Sequence, residues 1–256
     1  MATCSACGRM IDANLPFCPH CGDRVAGSRP SGGAAAAEAP SVAGPTLALL
    51  DDDGGIVRTF MLDRHEAVVG RRDADLVFPD DVYLSPLHAQ FTWRDGTLSV
   101  RDLGSRNGTW YFIDQPVRLT DGDVMLVGSQ LVRFRRLGYP GPHPPEADQT
   151  RRLGSLTPTA DVAVLAQLRG DGSTRDTLHL SPGRSVHIGR IEGDWVFPYD
   201  ATMSSRHATI VSSDGEFFVQ DTGSRNGVAL GVRGERTVEP GQKLLMGDQL
   251  LRVETL

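Results

Sequence analysis

The chain has 256 residues, 39% of them apolar and 23% charged, and a net charge of −6. That length suits two or three domains rather than one. The acidic balance argues against a general nucleic-acid binder, and no apolar run approaches the roughly 20 residues of a membrane-spanning helix. The opening MATCSACGRM has no hydrophobic signal core, so a cytoplasmic location with no membrane partner is expected.

The first element, residues 1–25, holds all 4 cysteines of the chain. They form two pairs of identical spacing, Cys4-x2-Cys7 and Cys18-x2-Cys21. A pair at this spacing presents two thiolates to one tetrahedral ion, with a geometry that suits zinc. Disulfides or a redox pair are the alternatives, and two matched knuckles in a reducing compartment favour the metal. Gly8 and Gly22 follow the pairs, where a positive φ lets the backbone turn around an ion. His20 reads as a bystander, since four thiolates already close the shell. The pattern, with Phe17 and Pro19, resembles a short zinc ribbon, which implies structural Zn2+ held by Cys4, Cys7, Cys18 and Cys21.

Residues 26–45 are small, Gly- and Pro-rich, and read as a flexible linker. Asp51-Asp52-Asp53 before Gly54-Gly55 reads as a solvated hairpin turn rather than a calcium site. Residues 138–160 form a second, Pro-rich linker. The blocks 46–137 and 161–256 are copies. Arg71 and Arg190, Phe78 and Phe197, Ser85 and Ser204, His88 and His207, and Asn107 and Asn226 all lie 119 residues apart. So do the turns Asp95-Gly96 and Asp214-Gly215. No insertion separates the copies over this interval, which predicts two domains of one fold in tandem.

Each copy reads as strands. TLSVRDL (97–103) alternates apolar and polar residues and follows HAQFTWR (88–94) across Asp-Gly, a strong hairpin signal. EFFVQDT (216–222) and HATIVSS (207–213) repeat the arrangement. DVMLVGSQLVRFRRL and QKLLMGDQLLRVETL each read as two strands about a Gly-centred turn. Without long amphipathic helices, these short strands imply a mainly β fold of sandwiches.

Three loop elements recur in order: Gly70-Arg71, Ser85-x-x-His88 and Asn107-Gly108, then Gly189-Arg190, Ser204-x-x-His207 and Asn226-Gly227. Alone, Asn-Gly marks a turn, Ser-x-x-His means little, and an arginine is a surface charge. In register and in duplicate they mark a site. A Ser/His hydrolase fails on context, because no G-x-S-x-G elbow joins a strand to a helix. No P-loop or kinase loop set is present either, so a non-enzymatic protein is expected.

Both copies resemble forkhead-associated (FHA) domains on these motifs, over about 46–137 and 161–256. The resemblance implies β-sandwiches that bind phosphothreonine peptides. It implies that Arg71 and Arg190 hold the phosphate, Ser85 and Ser204 donate a hydroxyl to it, and Asn107 and Asn226 bond the peptide backbone. His88 and His207 are then scaffold residues, and Arg106 and Arg225 add charge at the rim. A guanidinium fork, a hydroxyl and an amide match a dianionic, three-oxygen group beside a peptide bond.

Two departures are notable. Pro86-Leu87 stands where the second copy has Ser205-Arg206; a proline removes an N–H and fixes φ, which predicts an altered first loop. Val228 stands where the first copy has Thr109, which predicts a lost hydroxyl contact.

The sequence therefore reads as an adaptor for phosphothreonine-containing partners of a Ser/Thr kinase pathway, with two sites that give avidity. One alternative is self-regulation, with a phosphorylated linker threonine (Thr150, Thr157 or Thr159) docking into a pocket of the same chain. The other is a nucleic-acid or assembly factor working through the ribbon; the single net positive charge of residues 1–29 is a thin footprint for it.

Overall fold

The structure, a computed structural model, describes residues 2–3, 8, 10–11, 44–138, 146–150 and 162–256. Contacts divide the chain into Met1–Val42 and Ala43–Leu256. In the first unit, β1 (Ala2–Thr3) pairs antiparallel with β2 (Met10–Ile11). Gly8 has φ of 70°, the left-handed backbone expected after the first cysteine pair. The four cysteines, His20 and most of both linkers lie outside the described residues.

In the second unit the first repeat forms β3 (Thr46–Leu50), β4 (Ile56–Met61), β5 (Glu66–Gly70), β6 (Leu76–Val77), β7 (Ala89–Arg94), β8 (Thr97–Asp102), β9 (Thr109–Phe112), β10 (Val117–Arg118), β11 (Val124–Val127) and β12 (Gln130–Arg136). The second forms β13 (Ala163–Leu168), β14 (Thr174–Leu180), β15 (Val186–Gly189), β16 (Trp195–Val196), β17 (Ala208–Ser213), β18 (Glu216–Asp221), β19 (Val228–Gly231), β20 (Glu235–Val238), β21 (Lys243–Met246) and β22 (Gln249–Thr255). No helix occurs among the described residues, and hence none long and apolar enough to cross a membrane.

The turns follow their residues. Asp95-Gly96 has φ of 51° and 74°, and Asp214-Gly215 has 51° and 75°. Two left-handed residues give the tight hairpin turn whose twist matches the flanking strands. At Asp51 the side chain accepts the N–H groups of Asp53 and Gly55, and the three-acid stretch is the expected hairpin turn. In β12, residues 130, 132 and 134 point inward, and Phe134 meets Phe217 of β18 with ring centroids 5.7 Å apart.

The strand pairing groups the chain differently from the repeat boundaries 46–137 and 161–256. One ten-stranded sheet runs β14-β13-β12-β11-β19-β9-β21-β22-β3-β4. Two five-stranded sheets run β20-β8-β7-β5-β6 and β10-β18-β17-β15-β16. The first repeat's β3–β9 are thus completed by β20–β22 of the second repeat. Reciprocally, β13–β19 are completed by β10–β12 of the first. At the seam β9 pairs antiparallel with β19, with Tyr111 opposite Leu230. These two residues are equivalents 119 positions apart, so a local two-fold axis passes between them.

The connections explain the exchange. Ile113 continues the pairing beyond β9 by donating its N–H to Val228 O (2.9 Å), and Val232 does the same to Thr109 O (2.8 Å). The short runs after Ile113 and Val232 then lead into β10 and β20, which pair with β18 and β8 of the other repeat. Equivalent strands carry equivalent inward side chains, so either sandwich accepts either copy. Swapping identical elements in this way costs little.

Candidate functional site

The Gly-Arg turn follows β5, the serine turn precedes β7, and the Asn-Gly loop joins β8 to β9. Backbone bonds bring them together. Arg71 N donates to Ser85 O (2.9 Å) and Arg72 N to Pro86 O (3.3 Å); Arg190 N donates to Ser204 O (2.9 Å) and Ile191 N to Ser205 O (3.3 Å). Glycine precedes each arginine for a steric reason. A Cβ on Gly70 would lie 2.0 Å from Pro86 O, and one on Gly189 would lie 2.1 Å from Ser205 O.

The third loop is drawn in by the serine hydroxyl. Ser85 Oγ accepts the N–H of Arg106 at 3.0 Å, and Ser204 Oγ accepts that of Arg225 at 3.0 Å. Each hydroxyl oxygen is used as an acceptor there, which leaves its proton available to a ligand oxygen. Asn107 Nδ2 donates to Tyr83 O (2.7 Å) and Asn226 Nδ2 to Thr202 O (2.7 Å). Each exposed amide retains a carbonyl and a second N–H. Arg106 and Arg225 are exposed at the rim.

His88 and His207 are fully buried. Nδ1 accepts the serine N–H (3.1 Å at Ser85, 3.0 Å at Ser204). The other ring nitrogen, Nε2, donates to Gly108 O or Gly227 O at 3.0 Å. Each ring is therefore a neutral bridge between the serine turn and the Asn-Gly loop. Nε of Arg71 and of Arg190 is buried without a hydrogen-bond partner among the described residues. Nε of Arg236, whose guanidinium lies over the Tyr111 ring, is in the same state.

The repeated DLGSRNG and DTGSRNG loops have internal frames. Asp102 Oδ1 accepts the N–H groups of Gly104 and Ser105, both at 2.8 Å, and Ser105 Oγ accepts Gly108 N at 2.9 Å. Asp221 and Ser224 repeat these bonds. Burial would raise the Asp102 carboxyl, but hydrogen bonds from Ser105, Thr109 and Gly104 outweigh it and hold it below its ordinary value. Thr109 is buried and donates its hydroxyl to Asp102 at 2.7 Å. Val228 thus forgoes an internal brace and not a ligand contact. Around Pro86 the turn differs by one bond: Ser205 O accepts the N–H groups of both Ile191 (3.3 Å) and Glu192 (3.1 Å), whereas Pro86 O accepts that of Arg72 (3.3 Å).

Sequence reasoning missed Asp81 and Asp200, which support the serine turns from beneath. Asp81 accepts Tyr83 N (2.9 Å), Leu84 N (3.1 Å), Asp248 N (2.8 Å) and Gln249 Nε2 (2.9 Å). Asp200 accepts Thr202 N (3.0 Å), Ser129 N (2.9 Å), Ser129 Oγ (2.8 Å) and Gln130 Nε2 (2.8 Å). In each case the latter donors come from the other repeat, across the exchanged β11–β12 or β21–β22 turn. Each site is therefore supported by both copies. Their shared 119-residue offset was the available signal.

Residues 67–128 and 186–250 match the model of the FHA domain. The chain carries two FHA domains. Among curated relatives, an oxoglutarate dehydrogenase inhibitor of Corynebacterium diphtheriae is 37% identical over 87 residues, 32% of this chain and 57% of that protein. The glycogen accumulation regulator GarA of Mycolicibacterium smegmatis is 37% identical over 86 residues, 32% of this chain and 51% of that protein. The chain thus spans about half the length of these relatives. A solved structure from work on phosphothreonine-dependent FHA domain interactions is 36% identical, with a TM-score of 0.24, covering 31% of this chain and 82% of that one. The FHA motifs fall in the three loops that the backbone bonds above hold together, in both copies.

Proposed function

We propose that this protein is a non-enzymatic adaptor that binds phosphothreonine peptides at two FHA sites in Ser/Thr kinase signalling. The observation that carries the reading is the convergence of the Gly-Arg, serine and Asn-Gly loops in both copies, where Ser85 and Ser204 Oγ each accept a rim arginine's N–H and keep a proton to donate. In this reading Arg71 and Arg190 hold the phosphate, Ser85 and Ser204 donate to it, and Asn107 and Asn226 engage the peptide backbone. Arg106 and Arg225 attract the anionic peptide, and His88 and His207 fix the loops. The relatives' names, an inhibitor and a regulator, support a regulatory role.

Charge-assisted hydrogen bonds contribute about 1.5–3 kcal/mol each, and ordering a short peptide offsets part of the sum. Affinity on the order of micromolar follows. The four-cysteine segment serves in this reading as a structural zinc ribbon and contact surface; the two matched Cys-x2-Cys pairs support it. Fluorescence anisotropy with a phosphothreonine peptide and its phosphatase-treated twin tests the binding reading. Loss of binding on dephosphorylation is the expected result, and equal binding of the twins would refute it.

A further inference from the structure

The two sites share a frame but not a surface. The first serine turn carries three exposed apolar residues close to Ser85 in sequence: Val82 (72% exposed), Tyr83 (56%) and Leu87 (48%). Solvent-facing apolar groups in such number beside a polar site call for a partner. Tyr83 adjoins Asn107 directly, through the bond from Asn107 Nδ2 to its carbonyl. The equivalent residues around Ser204 are Ala201, Thr202 and Arg206. Arg206 is exposed and lies 3.3 Å from His187 Nδ1.

The Gly-Arg turns differ in the opposite sense. The first has Arg72, whose N–H reaches Pro86 O; the second has the exposed Ile191 in the same place against Ser205 O. The extra cation is thus on the arginine turn in the first site and on the serine turn in the second. The exchanged turns add to the contrast. Under the first serine turn the second repeat places exposed Asp248; under the second, the first repeat places exposed Ser129.

We infer that the two sites select different peptides: over the serine turn the first takes an apolar or aromatic residue, and the second takes an acidic one. This rests on the phosphothreonine reading above and assigns the residues that set its specificity. Val82, Tyr83 and Leu87 offer apolar area to a flanking side chain. Arg206 offers an acid its charge partner. One chain would then join two differently marked partners, or read two unlike marks on one.

The test uses the full chain with one site silenced. Arg190→Ala reports the first site and Arg71→Ala the second, each probed with a phosphothreonine peptide library randomised at the flanking positions. The expected result is apolar enrichment in the first profile and acidic enrichment in the second. Adding Leu87→Arg to Arg190→Ala should raise preference for an acidic flank about threefold to fivefold, the scale of an exposed ion pair. Leu87 is exposed, so the change spares the core. Superimposable profiles from the two single-site proteins, or no response to Leu87→Arg, overturn the inference while phosphothreonine binding stands. Binding by neither protein above the plain threonine library removes the phosphopeptide reading itself, and this inference with it.

Discussion

The Asp81 carboxylate accepts the backbone N–H of Asp248 at 2.8 Å, across 167 residues of sequence. A residue beneath the first candidate site is thereby tied to the last hairpin of the second repeat. Asp200 and Ser129 make the reciprocal tie at 2.9 Å. The close fit needs glycine in both turns: a Cβ on Gly247 would lie 2.5 Å from Asp81 Oδ2, and one on Gly128 would lie 2.9 Å from Asp200 Oδ2.

These ties make stability pH-dependent. Burial would raise the Asp200 carboxyl, but hydrogen bonds from Thr202, Gln130 and Ser129 outweigh it and hold it well below the usual carboxylate range. A carboxyl lowered by folding contributes stability that is complete above its unfolded value near 4 and is lost as pH falls through its folded value. Asp200→Asn should cost about 2–4 kcal/mol at pH 7, through charge-assisted bonds lost and buried donors left unmatched. Thermal melts should show the largest gap between wild type and variant at pH 7, narrowing below about pH 4. A gap that stays constant down to pH 3 would argue against this role.

The exchanged strands make each sandwich from both repeats. A protease site inserted between Gly138 and Glu146 allows the chain to be cut after folding. The two fragments should elute together under native conditions and separate only in denaturant. Fragments that part without denaturant would count against the exchange.

Close packing of the Gly-Arg turn should make its glycine sensitive to a single methyl group. Gly70→Ala would push a Cβ into the Pro86 carbonyl, an overpacking cost of about 1–3 kcal/mol. The expected result is weaker phosphopeptide binding at the first site, with the second site unchanged, read by titrating Gly70→Ala in the Arg190→Ala and wild-type backgrounds. Unaltered first-site binding would show that the turn tolerates a shift.

The strands, the Asp-Gly hairpins and the three recurring loops were legible because each has a local cause. Alternation fixes which face of a strand is buried, and Asp95-Gly96 or Asp214-Gly215 fixes a turn. Burial of His88 and His207 was legible from their place ahead of apolar strand residues, while their scaffold role came with the FHA resemblance. Strand partnership was not legible. Val127 and Met246 are both buried at equivalent positions in their strands, and nothing in the pattern says which copy either one joins. Asp81 escaped notice for a related reason: in the sequence it is one acid of a Pro-Asp-Asp run, and its donors lie in the other repeat.

Calorimetric titration of a phosphothreonine peptide into the intact chain, its two single variants Arg71→Ala and Arg190→Ala, and the double variant weighs the central proposal most directly. Two equivalents should bind to the wild type, one to each single variant and none to the double variant, with no heat from the unphosphorylated peptide. Unchanged binding by the double variant, or equal heat from plain threonine, would mean that these arginines do not grip a phosphate.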